Sequence, residues 1–391
     1  MSASPRIVII GGGVIGSAIA TFLTQDPGAC EVTVLERDPT YCNASSARSA
    51  SSIRQQFSTP VNIRMSQYGI DFFRQIGVRL RVGENIPDIG LVEPGYLFLA
   101  SAAGMAALQD NVHVQHAHDV AVDLLTPTQL RATFPWLATH GLRCGALGRA
   151  GEGWYDGYSV LQAFRAKARA QGAVFVPAEA SGFARRGSRI TGVSVHDGAT
   201  LHCDMAVNAA GPWAAAVARW ADIALPVHAR RRTVFSFTCP EALPHCPLVI
   251  DPSGLWFRPE GAQFLCGYAP APADDLDDLP LDPDIGAFES FVWPALAHRV
   301  PAFDAVRMAG AWAGYYEMNT FDHNAILGLH ADCPNLYFAN GFSGHGLQHA
   351  PAVGRGLAEL MLEGSYRSLD LAPLAFSRIS EQRPLIERNI I

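Results

Sequence analysis

Lysine is almost missing from this chain: of 391 residues only Lys167 is one. It lies in Ser159–Gln171, a helix-like stretch with nothing catalytic beside it. A Walker-type phosphate lysine is therefore excluded, and a Schiff-base lysine is disfavoured. Positive charge is short as well. Lys+Arg 29 against Asp+Glu 36 leaves a formal net charge of −7, which argues against general affinity for nucleic acid or anionic membrane. No apolar run approaches the roughly 18 residues of a membrane span. The 8 cysteines contain no Cys-x-x-Cys pair, so they read as scattered reduced thiols rather than a disulfide framework or zinc ribbon. The first strand-like run, Arg6–Ile10, begins close to Met1 and leaves no space for a leader, so the expected location is cytoplasmic.

What remains is a long, apolar chain. Hydrophobic residues make up 49% and charged residues 17% of the 391, enough for a large core and, at roughly 150 residues per domain, for two or three domains. Arg6–Ile10 reads as a strand, Val14–Thr24 as a small-residue helix, and Val32–Glu36 as a second strand, which is one βαβ unit. Further helices are expected at Ile63–Ile76, Thr126–Thr133, Ser159–Gln171 and Ala352–Leu362. Strands are expected at Gly95–Ala100, Val174–Val176, Ile190–Val195, Asp204–Ala210 and Asn335–Ala339. The acidic stretch Asp274–Asp278 is most simply a solvated loop. The fold class is thus α/β with mixed elements: a Rossmann-like nucleotide domain (1–85, 146–226 and 320–391) interleaved with an antiparallel-sheet substrate domain (86–145 and 227–319).

The chemistry concentrates in three glycine turns. Gly11-x-Gly13-x-x-Gly16 falls between strand and helix, and Glu36 ends the next strand 20 residues later. Such a turn lets backbone approach a pyrophosphate, sets the helix N-terminus on it, and offers the acid to a ribose hydroxyl. By itself this does not separate FAD from NAD. Val207–Trp213 forms a second strand-to-glycine turn, and Phe338–Gln348 a third that opens a helix. A helix start beside a flavin's pyrimidine ring would stabilise the negative charge gained on reduction. Three turns around one ligand suit a buried flavin better than an exchangeable nicotinamide.

On these residues the chain resembles the D-amino-acid oxidase superfamily of FAD-dependent oxidoreductases, the group of sarcosine oxidase and D-arginine dehydrogenase, over nearly its whole length. Arg54–Ser58, Gly314–Tyr316 with Asn319–Asp322, Gly341–Gln348 and Asn389–Ile391 are most similar to a subgroup of FAD-dependent oxidoreductase domain proteins related to a respiratory complex I assembly factor. The resemblance implies FAD in an extended pose. Gly11, Gly13, Val14, Ile15, Gly16, Glu36 and Arg37 would hold its adenosine and pyrophosphate. Ser45, Arg48, Ser49 and Ala50 would line its middle, with Val176 at the adenine and Ala210, Gly211 and Trp213 nearby. Gly341, Gly344, His345, Gly346, Leu347 and Gln348 would face the isoalloxazine.

The same resemblance implies oxidation of the C–N bond in an amino acid or N-substituted amino acid, with hydride passing to flavin N5 and the imine then hydrolysing. Arg54 stands where sarcosine oxidase binds the substrate carboxylate, a task suited to a planar fork; a salt-bridged surface arginine is the plainer reading. Tyr315 and Tyr316 are expected as pocket walls or hydroxyl donors, and Trp256 and Arg258 as residues of a strand along the cavity. The run Arg230–Arg232 reads more simply as a solvated strand edge than as a pocket element.

Three departures qualify the resemblance. Tyr315 replaces the flavin-linking cysteine, which implies noncovalent FAD. Leu265 replaces the lysine that assists oxygen, which favours a dehydrogenase over a fast oxidase, and Gln348 replaces a carboxylate lysine. Quinone, a carrier flavoprotein and oxygen all remain open as acceptor. No metal site is expected, since neither His113–His116–His118 nor His345 with His349 has the partners one requires. Two rival readings stand beside this one. The first is a 2-hydroxy-acid dehydrogenase with His345 as base; the second is a flavoprotein that serves as a non-catalytic assembly factor.

Overall fold

Arg6–Ile10 sends alternate side chains into two different cores, Ile7 and Ile9 to one face and Val8 and Ile10 to the other. A strand buried on both faces belongs inside a parallel sheet. In the computed structural model, which describes residues 4–389, it is an inner strand of six. The order is Ile326–His330, Cys333–Asn340, Met205–Asn208, Arg6–Ile10, Glu31–Glu36, Val174–Pro177. All pairs are parallel except the edge pair Ile326–His330 with Cys333–Asn340. Helices Val14–Leu23, Gly157–Ala170 and Gly346–Glu363 cover one face. Helix Ala214–Arg219 and a three-stranded antiparallel sheet (Ala180–Arg186, Arg189–Val195, Thr200–His202) cover the other.

An eight-stranded sheet forms the second layer system. Its order is Arg307–Asn319, Val227–Thr238, Gln263–Tyr268, Leu255–Glu260, Leu248–Ile250, Tyr96–Ser101, Leu142–Gly148, Val122–Leu125. Alternation again divides the side chains. Phe235, Phe237 and Phe257 enter an aromatic core with Phe303, while Val234, Trp256 and Phe98 face the helix Pro60–Arg74 side with Phe57 and Ile63. The mixed α/β class expected from the sequence is what the chain adopts. The strand Leu142–Gly148 stays whole within the larger sheet, so a limit drawn at residue 145 cuts it; hydrogen bonding, which the local sequence does not display, sets that edge.

Element boundaries moved for local reasons. Helix Gly157–Ala170 starts earlier than expected because Asp156 caps it, accepting from the backbone N–H of Tyr158 at 2.9 Å and Ser159 at 3.2 Å. Helix Gly346–Glu363 begins six residues before the expected start at Ala352 and runs through Pro351. Met105–His116, where the sequence shows only mixed strand signals, is a helix.

The C-terminal segment is built into the fold. Glu387 is fully buried, and its carboxylate accepts from the backbone N–H and hydroxyl of Ser58 (2.8 and 2.7 Å) and of Thr59 (3.1 and 2.7 Å). It also takes the Asn62 amide at 3.0 Å and the Asn389 N–H at 2.9 Å. This acid caps the helix Pro60–Arg74, whose own N-cap Thr59 makes no side-chain cap. Of the motif Asn389–Ile391, the last two residues lie outside the described residues. Removing Glu387 orphans several buried donors at once. Glu387→Ala should lower stability by about 2–4 kcal/mol and the melting temperature by roughly 5–10 °C in a thermal melt, with Glu387→Gln falling between.

Candidate functional site

The first glycine turn is dictated by backbone contact. A Cβ on Gly16 would lie 1.9 Å from the Gly11 carbonyl oxygen, so the helix can approach the strand this closely only without one. Gly13 is different. A Cβ there would meet nothing nearer than the Ser46 hydroxyl at 4.0 Å, because the position borders an open cleft. Helix Val14–Leu23 has no side-chain cap, so its first N–H groups are left for a ligand. The cleft is about 600 Å³ and runs past Gly11, Gly13, Glu36 and Arg37 to Ala210, Gly211 and Trp213. Glu36 accepts the Gly12 N–H and the Asp38 N–H, both at 2.8 Å. Burial raises its carboxyl above the usual range, and those two N–H groups offset only part of the rise. The Arg37 guanidinium stacks 3.8 Å from the Trp213 ring, closing the far end.

A smaller cavity of about 100 Å³ continues from the cleft, sharing Val14, Ile15, Ser45, Ser46 and Glu317 with it. Ser49, Ala50, Trp256, Tyr315, Tyr316, Gly344, Gly346 and Leu347 complete most of the expected wall. Arg48 lines it too, yet its guanidinium is already used. It donates to the carbonyls of Cys42 (2.6 Å) and Ala313 (2.8 Å) and so ties the two sheet systems together. The Ser45 hydroxyl, on the wall common to both cavities, is buried without a partner. A polar orphan there, together with the uncapped helix and the held acid, fits a dinucleotide passing from cleft to cavity.

Several expected residues stand elsewhere. Val176 is paired with Leu35 in the parallel sheet and does not reach the cleft, whose lining begins at Ala178. Gly341, His345 and Gln348 are not on the cavity wall. Gln348 turns back to accept the Arg54 N–H at 2.9 Å. Arg258 is buried at the neighbouring strand, donating to the Ala50 carbonyl at 2.8 Å and paired with Glu260. It braces the Ser49–Ala50 segment without entering the cavity.

Arg54 is the most unusual of the group. It is 2% exposed, with its guanidinium 4.0 Å from the Phe57 ring. Nη1 donates to the Gln56 carbonyl and Nη2 to the Asn389 carbonyl, while Nη2 also lies 3.1 Å from His345 Nε2. Among the described residues no carboxylate touches it, so there the buried cation rests on neutral acceptors, an expensive arrangement. Burial lowers its pKa, partly offset by Tyr96, Glu387 and Glu152. Burial and then the Arg54 charge push His345 well below its ordinary value, which keeps that ring neutral.

Two expectations need correcting. The run Arg230–Arg232 is not a free strand edge. Arg232 is 9% exposed, lines the smaller cavity, and stands 5.2 Å from the Tyr316 ring. Nor is the acidic stretch simply solvated: Asp275 accepts both Nη groups of Arg232, at 2.6 and 2.9 Å, and Asp277 meets His228 at 2.7 Å. Opposite charges 43 residues apart found each other, which no local pattern reveals. Sequence reasoning also missed Glu317, on the wall shared by both cavities. Burial pushes it up to about 8, against the N–H groups of Gly341 and Phe342. Its nearest signal was adjacency to Tyr315 and Tyr316. Among the described residues, no group of three His, Cys, Asp or Glu is placed to hold a metal.

This geometry is that of a dinucleotide flavoprotein, and the comparisons agree: residues 6–360 match the family model for FAD dependent oxidoreductases, and the chain belongs to that family. FAD is the family's cofactor. One relative is FAD-dependent oxidoreductase domain-containing protein 1 of Xenopus laevis, 42% identical over 98% of this chain and 84% of that protein. Glycine oxidase of Geobacillus kaustophilus is 26% identical over 95% of this chain and 96% of its own length. The crystal structure of L-proline dehydrogenase from P. horikoshii superposes with a TM-score of 0.86 at 24% identity, covering 98% of this chain and all of the other.

Gly13 offers a clean test of the cleft. Since an added methyl meets no protein atom, Gly13→Ala should melt within about 2 °C of the parent as apoprotein. It should nevertheless bind FAD at least tenfold more weakly by fluorescence titration, because the methyl occupies the pyrophosphate's approach.

Proposed function

We propose that the protein oxidises the C–N bond of a carboxylate-bearing amine, an amino acid or N-substituted amino acid, using noncovalently bound FAD. The observation that supports this reading is Arg54, a buried guanidinium with no acidic partner among the described residues, held beside the turn Gly344–Gln348. A substrate carboxylate replacing the Asn389 carbonyl on Nη2 would supply the missing negative charge. The relative named glycine oxidase supports the amino-acid class.

Bound FAD supplies the two-electron acceptor, so an amine becomes an imine that water hydrolyses. The chain's own residues bind and orient. Arg54 fixes the carboxylate, and its charge disfavours an ammonium nearby, so the amine arrives with its lone pair free. Tyr316, which senses the charges of both Arg232 and Arg54, forms the wall between them, and burial keeps its hydroxyl protonated. Trp256 and Leu347 supply apolar walls that limit water. The Tyr315 hydroxyl donates to the Leu279 carbonyl at 2.7 Å, which supports a noncovalent cofactor at that position. A hydroxy-acid substrate fits less well: His345, the base it would need, faces Arg54 and is driven neutral and weakly basic.

Electron transfer to an acceptor other than oxygen is the favoured outcome. Leu265 is buried among Trp256 and Phe98 with no charge to offer, and the one lysine lies far off, its Nζ on the Arg81 carbonyl at 3.0 Å. The test is anaerobic titration of the FAD-loaded protein with primary and N-methyl amino acids, following flavin absorbance. Arg54→Gln should keep FAD yet lose about 100-fold or more in apparent affinity for whichever amine bleaches the parent. Unchanged affinity would remove Arg54 from the proposal.

A further inference from the structure

The smaller cavity carries a second arginine whose charge is already answered. Arg232 is on the cavity wall, and Asp275 takes both of its terminal nitrogens in a two-pronged ion pair, the two side chains 10% and 18% exposed. The Nε of the same guanidinium is buried without an acceptor. Asp275 belongs to a strap, residues 271–286, that contributes no side chain to any of the hydrophobic cores. The strap is fastened instead by polar contacts: Asp277 with His228 and Arg230, the Asp278 N–H on the Ala229 carbonyl, and the Leu279 carbonyl under the Tyr315 hydroxyl. A segment tied down this way opens more readily than one anchored in a core. It thus lays a carboxylate on one cavity-wall residue and a carbonyl on another.

We propose that the Arg232–Asp275 pair is a charge selector that restricts the substrate to one carboxylate. The inference rests on the reading of Arg54 as the carboxylate seat. With Arg232 neutralised by Asp275 and Arg48 held by the Cys42 and Ala313 carbonyls, Arg54, buried behind the cavity wall, is the cation left to seat a substrate carboxylate, and one carboxylate balances it. A second carboxylate on the substrate would reach Arg232 only by displacing Asp275, and until then it meets a like charge. Removing the Asp275 charge turns Arg232 into a second anion seat.

The test uses the FAD-loaded protein and two unreactive ether analogues, methoxyacetate with one carboxylate and oxydiacetate with two. Both are titrated through their perturbation of the flavin spectrum. The parent should bind methoxyacetate at least tenfold more tightly than oxydiacetate. Asp275→Asn should shift that ratio at least tenfold toward oxydiacetate, and adding Arg232→Gln should restore the parent's preference. A parent ratio near one, or a ratio that Asp275→Asn leaves unmoved while methoxyacetate still binds, overturns the selector and leaves the Arg54 reading standing. If methoxyacetate does not bind the FAD-loaded protein at all, both fall together.

Discussion

The contact between Gly16 and the carbonyl of Gly11 is the constraint from which the site follows. Because no side chain separates them, the helix Val14–Leu23 is pressed against the strand end with its first N–H groups uncapped and turned to the cleft. The protein has no side chain of its own for those donors, and a pyrophosphate is the group that suits them. Glu36 and Ser45 lie on either side, one held by backbone N–H groups and the other left without a partner. Cofactor binding here completes the hydrogen bonding of the fold.

The second constraint is electrostatic. Arg54 is enclosed by aromatic rings and carbonyl groups, with no carboxylate in direct contact among the described residues, and this is tolerable only because several dipoles converge on it. The nearby acids point elsewhere. Glu152 is driven up to about 7 by burial while accepting from Gln55 and Gln56, and Glu387 is committed to the helix Pro60–Arg74. The segment Glu387–Asn389 thereby performs two tasks, capping a helix and satisfying the cation. The site and the stability of the chain end share one network.

Much of the cofactor cleft was legible in the sequence, because its parts are local: four glycines in six residues, a strand before and a helix after, an acid at the next strand end. The central strand was legible too, since the continuous β-branched run at Ile7 to Ile10 is the pattern of a strand buried on both faces. The charges around the smaller cavity were less so. Arg54 and Asn389 are 335 residues apart, and three strands lie between Arg232 and Asp275 in the chain, so each pair exists only after distant segments have packed. Composition read the arginine run and the acidic stretch separately as solvated surface. Their mutual neutralisation is what buries Arg232.

The account stands on the claim that cleft and cavity form one continuous seat for FAD that holds it without a covalent link. The most direct measurement is the absorbance of the purified protein, followed by acid precipitation and quantification of flavin in the supernatant. The account predicts a yellow protein that releases FAD at about one molecule per chain. A colourless protein that refuses FAD on reconstitution, or a flavin that stays with the precipitate, would contradict it.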